Sequence, residues 1–142
     1  MAENGWRTMR LSEVEPYPGP AQGLEGWLPL RSTLGVEAFG VNAWVGRDEG
    51  DDVIEEHDEI NDDPALNHEE LYVVIEGQAT FTVDGNEFDA PRGTLVFVKD
   101  PSITRHAVAR SPGTTILAIG ATPGEVFTPS PWEKRRLETR SV

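Results

Sequence analysis

A carboxylate opens the most apolar strand pattern of this chain, at Glu70 in the run E-L-Y-V-V-I-E-G that ends on Gly77. Placing a carboxylate there costs free energy unless something pairs with it, so the partner of Glu70 defines what the region can do. Arg105 or Arg92 would make it a rim salt bridge, worth about 0–1 kcal/mol where exposed. His68 lies two residues before Glu70, and in an extended strand the two side chains share a face. Histidine occurs three times only, at positions 57, 68 and 106. His57 sits within a stretch from Asp48 to Glu70 that carries twelve acids and no Lys or Arg. Most of those carboxylates read as a solvated face, and a minority as possible metal ligands.

Other chemistries have no footing. With no cysteine there is neither a thiolate metal site nor a disulfide framework. No Gly-x-Ser-x-Gly elbow and no phosphate loop occur, and Gly35–Gly40 lies within a strand pattern, not at the start of a helix. The net charge of −13 opposes binding to a phosphate backbone. No apolar run is long enough to span a bilayer, and the N-terminus lacks the apolar stretch of a secretory signal. A cytoplasmic protein is therefore expected. At 142 residues and 37% hydrophobic content, the chain suits one domain with one core.

The elements that must position these residues are mostly strands. Val36–Val45 alternates, with Phe39, Val41, Ala43 and Val45 on one side. Residues 46–67 read as a long acidic connection, a length that tends to be functional or mobile. Strands then follow closely at Leu71–Glu76, Ala79–Val83, Asn86–Asp89, Thr94–Val98, Ile103–Arg110 and Thr114–Ile119, with Asp84-Gly85 a strong hairpin turn. If Thr104 faces inward on its strand, His106 does too, and Arg105 and Ala107 face outward. Short strands with turns every eight to twelve residues indicate a sandwich or barrel. Before them, Pro16, Pro18, Gly19, Pro20, Gly23 and Gly26 imply an irregular arm. Ser130-Pro131-Trp132-Glu133 has the capping pattern of a short helix running to about Glu138. The expected organisation is an arm over 1–35, a barrel over 36–125 and a tail with the helix over 126–142.

This pattern resembles the cupins, small jelly-roll β-barrels. Their first motif, G-(x)5-H-x-H-(x)3,4-E-(x)6-G, is matched at its end by Glu70 and Gly77. Starting from Gly93, their second motif places Lys99, Pro101, Thr104 and Val108 at its Pro, Gly, His and Asn positions. The chain is also similar to a group of small bacterial cupins with H-E-E-L-Y-V-V, a Phe-Thr-Val-Asp-Gly hairpin and a Pro-Gly-Glu-x-Phe ending. The resemblance implies an all-β fold and a site built from His and Glu. That mixed set suits a divalent transition metal such as Mn, Fe, Zn or Ni. Pro64, Ala65 and Leu66 fall where the H-x-H pair is expected. The ligand candidates become His57, Glu59, His68, Glu70 and His106, with His106 alternatively a satisfied core histidine.

Three functions follow as expectations. One is a metal-dependent oxygenase or isomerase acting on a small organic molecule, with His68 as a replacement ligand or general base. The second is a metal-free binder, a sensor or carrier with the same polar groups inside an apolar barrel. The third is an interaction protein whose barrel is filled by side chains. A homodimer is expected, because sheet edges need covering.

Overall fold

A computed structural model describes residues 5–17 and 26–140, apart from the side chains of residues 139 and 140. Pro18, Gly19, Pro20 and Gly23 of the expected arm lie outside the described residues. The arm is not wholly irregular. It holds a short strand β1 (Trp27–Leu28) and a helix α1 (Leu30–Leu34), which Gly35 ends in the left-handed conformation. Then come β2 (Gly40–Gly46), β3 (Asp52–His57), β4 (Glu69–Glu76), β5 (Gln78–Val83), β6 (Asn86–Pro91), β7 (Leu95–Val98), β8 (Arg105–Ala109) and β9 (Thr114–Ala121). A C-terminal helix, α2 (Pro131–Arg140), closes the order. The strands form two antiparallel sheets, β1-β2-β9-β4-β7 and β3-β8-β5-β6, the layout of a jelly roll.

Turn chemistry explains much of this order. Asp84 and Gly85 both take positive φ, as a tight hairpin between right-twisted strands requires. The strands β5 and β6 therefore pair in register from Gln78↔Pro91 to Val83↔Asn86. Between the sheets, Val74, Ala79, Phe81, Val98, Ala107 and Ile116 are buried in one apolar cluster.

Two expectations change. The acidic connection contains β3, which pairs with β8 and shifts register twice, between Asp52 and Ile54 and between Ile54 and His57. Such bulges break the period-two signature and re-aim side chains, so the strand does not read as one. On β8 the sense is opposite to the conditional expectation: Thr104 is exposed, while Arg105, Ala107 and Ala109 are buried.

The two faces of β2 have different tasks. Val41 and Ala43 join Val14, Leu28 and Leu30 in a second cluster beneath the arm. The other face carries Gly40, Asn42 and Trp44, which line the space between the sheets. Register aligns these residues with the inner face of β4 through β9. Gly40 pairs with Gly120 and Gly120 with Glu70, while Asn42 pairs with Ala118 and Ala118 with Tyr72. Beside Glu70 the sheet thus presents two glycines and leaves room. A Cβ at Gly40 would come 3.2 Å from the Phe127 ring.

Candidate functional site

Four elements converge on Glu70. From the same face of β4, two residues on, the Tyr72 hydroxyl donates to Glu70 Oε1. From β8, Arg105 Nη1 donates to the same oxygen at 2.8 Å. Arg105 is the register partner of His57 on β3, so the second sheet brings a cation to a carboxylate of the first. Its Nε donates to the Ile103 carbonyl at 3.0 Å, and Nη1 also lies 3.4 Å from the Tyr72 oxygen. Arg105 Nη2 is buried without a partner among the described residues.

His57 completes the group. Its Nδ1 lies 2.6 Å from the Glu55 carbonyl and donates to it, which directs Nε2 at the carboxylates. Glu59 Oε2 is 2.9 Å and Glu70 Oε1 3.9 Å from Nε2. Glu59 is held by its surroundings: its amide donates to the Pro101 carbonyl at 2.8 Å, and Asn61 Nδ2 donates to its carbonyl at 3.0 Å. Asn61 Nδ2 also donates to the Leu66 carbonyl at 2.8 Å, bracing the loop into β4.

Charges follow from this geometry. Burial works against a charged His57, but the bonds to Glu59, Glu70 and the Glu55 carbonyl outweigh it, raising its pKa from 6.5 to about 10. Burial alone would raise Glu70; His57, Tyr72 and Arg105 instead hold it below the usual carboxylate range. Tyr72 is pushed well above its ordinary value by burial and the adjacent Glu70 charge. At neutral pH, imidazolium and guanidinium face two carboxylates, and the set balances.

His57, Glu59, Glu70 and Tyr72 line a cavity of about 380 Å³. Trp44, Tyr72, Phe127 and Trp132 supply aromatic wall, with Asn42, Asn61 and His68 among the polar lining. The helix α2 is one side of this cavity. It is fastened by Glu133, whose Oε2 accepts from Arg31 Nε at 2.8 Å, and by Trp132 packed 5.0 Å from Trp27 and 6.0 Å from Trp44.

Of the five expected ligands, His57, Glu59 and Glu70 come together, with donor atoms all within 4.8 Å of one another. His68 is only 7% exposed and lines the cavity, but its ring packs 5.3 Å from Phe127, outside that group. His106 is not brought to the site; its Nε2 lies 2.8 Å from Asp52, because Arg105 and Ala107 take the inward positions on β8. The expected rim pair of Glu70 with Arg105 exists, but inside: the Arg105 side chain is 0% exposed. Arg92 pairs with Glu76 instead. Tyr72 was not expected as a partner of Glu70, although its i+2 position on the same strand was a signal that could have found it; the inward turn of Arg105 had no such signal.

The spacing of His57, Glu59 and Glu70 suits a divalent ion. Glu70 Oε1 already accepts from a cation and a hydroxyl, which leaves Oε2 as the oxygen Glu70 would offer an ion beside that cation.

No family model matches the chain, and no curated protein matches it. Solved structures do. A cupin protein from Bacteroides fragilis aligns at TM-score 0.58 and 18% identity, over 82% of this chain and 92% of that one. A sugar phosphate isomerase of the cupin superfamily from Silicibacter pomeroyi aligns at TM-score 0.61 and 19% identity, over 81% and 75%. A putative sugar phosphate isomerase from Acidithiobacillus ferrooxidans aligns at TM-score 0.53 and 17% identity, over 67% and 57%. These likenesses establish that the chain has the cupin fold.

Proposed function

On this cupin fold, we propose that the chain binds a small organic molecule between its sheets. The observation that carries the reading is a 380 Å³ cavity lined by an aromatic wall and a cluster of convergent polar groups. An interior filled by side chains, as in a purely structural barrel, leaves no such volume. The occupant has an apolar face for Trp44 and Trp132, and hydroxyl or amide groups for His57, Glu59 and Asn42. A free phosphate fits poorly, because Glu55, Asp58, Glu59, Glu70 and Glu133 outnumber His57 and Arg136 in the lining. The sugar phosphate named for two fold neighbours is therefore not carried over.

The test is a panel of small polar compounds, read by melting temperature and by quenching of tryptophan fluorescence. The expected result is a ligand whose signal is lost in Trp44→Ala and Glu59→Gln. No response from any compound, or a response that both variants retain, would sink the reading.

A second reading adds a divalent Mn, Fe, Zn or Ni ion on His57, Glu59 and Glu70, and with it an oxygenase or isomerase activity. The donor spacing favours it. Protein purified without a nickel column would then carry about one equivalent of metal and melt higher when Mn, Fe or Zn is added.

For assembly, we propose a homodimer through the outer face of the first sheet. The strand β7 is an edge, and its Leu95 and Phe97 are 67% and 54% exposed beside a groove lined by Phe39, Leu71 and Ile119. A second copy would cover this apolar edge. Light scattering is expected to give a dimer mass for the parent chain and a monomer mass for the Leu95→Lys/Phe97→Lys variant. A monomer in both overturns the assignment.

A further inference from the structure

We propose that Arg105 is the resident cation of this centre and closes it to divalent metal, so the cavity holds its ligand without one. The proposal decides between the two readings of the polar cluster and does not depend on ligand binding.

Three observations carry it. Glu70 Oε1, which lies 3.9 Å from His57 Nε2, is the oxygen already bonded to Arg105 Nη1 at 2.8 Å and to the Tyr72 hydroxyl. An ion ligated at about 2.1 Å by either oxygen of that carboxylate would stand within roughly 7 Å of the guanidinium. Arg105 is also wholly buried, and among the described residues Glu70 is the one carboxylate within ion-pair distance of it. A metal on Glu70 would have to share one carboxylate with a buried cation, leaving that cation undercompensated and facing a second positive charge, which is unfavourable. Finally, the guanidinium cannot escape by losing its proton, unlike an amine or an imidazole in the same place.

The chain's topology makes the substitution. On β8 the inward positions are Arg105, Ala107 and Ala109, and no imidazole or carboxylate among them faces the group. His106, one residue away, is turned to Asp52. The strand that could bring a further ligand brings a cation. Arg105 is not part of the cavity lining and reaches it through Glu70 and Tyr72, so its role is to position and neutralise.

Cobalt(II) reports the difference, because a mixed nitrogen and oxygen site of low coordination number gives strong visible absorption and carboxylates on the surface do not. The parent chain, stripped of metal, is expected to show no such band and no rise in melting temperature with cobalt or zinc. Arg105→Met should develop the band and bind cobalt at least about 100-fold tighter, corresponding to about 2.7 kcal/mol. Arg105→Gln serves as an independent neutral replacement. Arg105→Met/Glu70→Gln should lose the band again, which separates this centre from the acidic loop. A merely structural role for Arg105 would weaken every variant without creating a metal site. A micromolar site in the parent chain that disappears in His57→Gln overturns the proposal, whatever the Arg105 variants do. Neutral variants that fold and bind no tighter than the parent overturn it as well.

Discussion

Arg105→Leu is expected to lose about 3–5 kcal/mol of folding stability, and its melting temperature should fall by roughly 10 °C or more. The reason lies in which charge is left behind. The Arg105 side chain has no exposure, and the Glu70 carboxylate it meets is itself largely enclosed. Removing the guanidinium strands that carboxylate with the Tyr72 hydroxyl and a more distant His57. An exposed pair of the same length would be worth about 0–1 kcal/mol, so the size of the loss separates a buried pair from a rim pair. Glu70→Leu alone should cost a similar amount, since it strands the cation. The double variant Arg105→Leu/Glu70→Leu removes both charges, and should be more stable than the sum of the single losses by about 2 kcal/mol or more. Urea denaturation of the four proteins measures the cycle. A single-variant loss below about 1 kcal/mol would show that water reaches the pair.

The same pair marks what could be read from the amino-acid order. The framework was legible because each β4-to-β9 strand is bounded by turn residues with a specific conformational reason, such as positive φ at Asp84 and Gly85. Glu70 was legible as a carboxylate needing a partner, with His57, Glu59, His68 and His106 as its expected company, of which His57 and Glu59 meet it. Strand β3 was not, because two register shifts in six residues leave no alternation to detect. Nor was the inward side of β8. Arg105 and His106 are adjacent polar residues, and period-two reading alone cannot say which faces in. Hydrophobicity favours neither, and only the buried acceptor on the opposite sheet decides for Arg105. The side of β2 that serves the cavity is likewise the less apolar one. Val41 and Ala43 are drawn to the cluster beneath the arm, leaving Asn42 and Trp44 for the interior.

His57 gives the second large effect, a loss of stability on the alkaline side. Its pKa in the fold is about 10 against an ordinary 6.5, so the folded state holds the proton more tightly than the unfolded chain. The stability this provides is fully present below pH 6.5 and is lost as pH rises from there through about 10. With the side chain 36% exposed, solvent screening reduces the effect to about 1–2 kcal/mol. Glu70 acts in the opposite direction: its lowered pKa contributes stability above 4.5 that is lost as pH falls through the folded value. Tyr72, pushed above its ordinary 10.0, has the same sign as His57: its contribution is fully present below pH 10 and is lost only as pH rises beyond it. Urea midpoints compared at pH 6.5 and pH 10 should therefore fall in the parent chain and fall much less in His57→Gln. The difference between the two proteins cancels every pH effect that does not involve His57. Equal slopes would mean that the imidazole is neutral in the fold, and the group would then carry one net negative charge around Glu59 and Glu70. A centre so charged would attract a divalent ion despite Arg105, so the alkaline slope and the cobalt titration test the same balance from opposite sides.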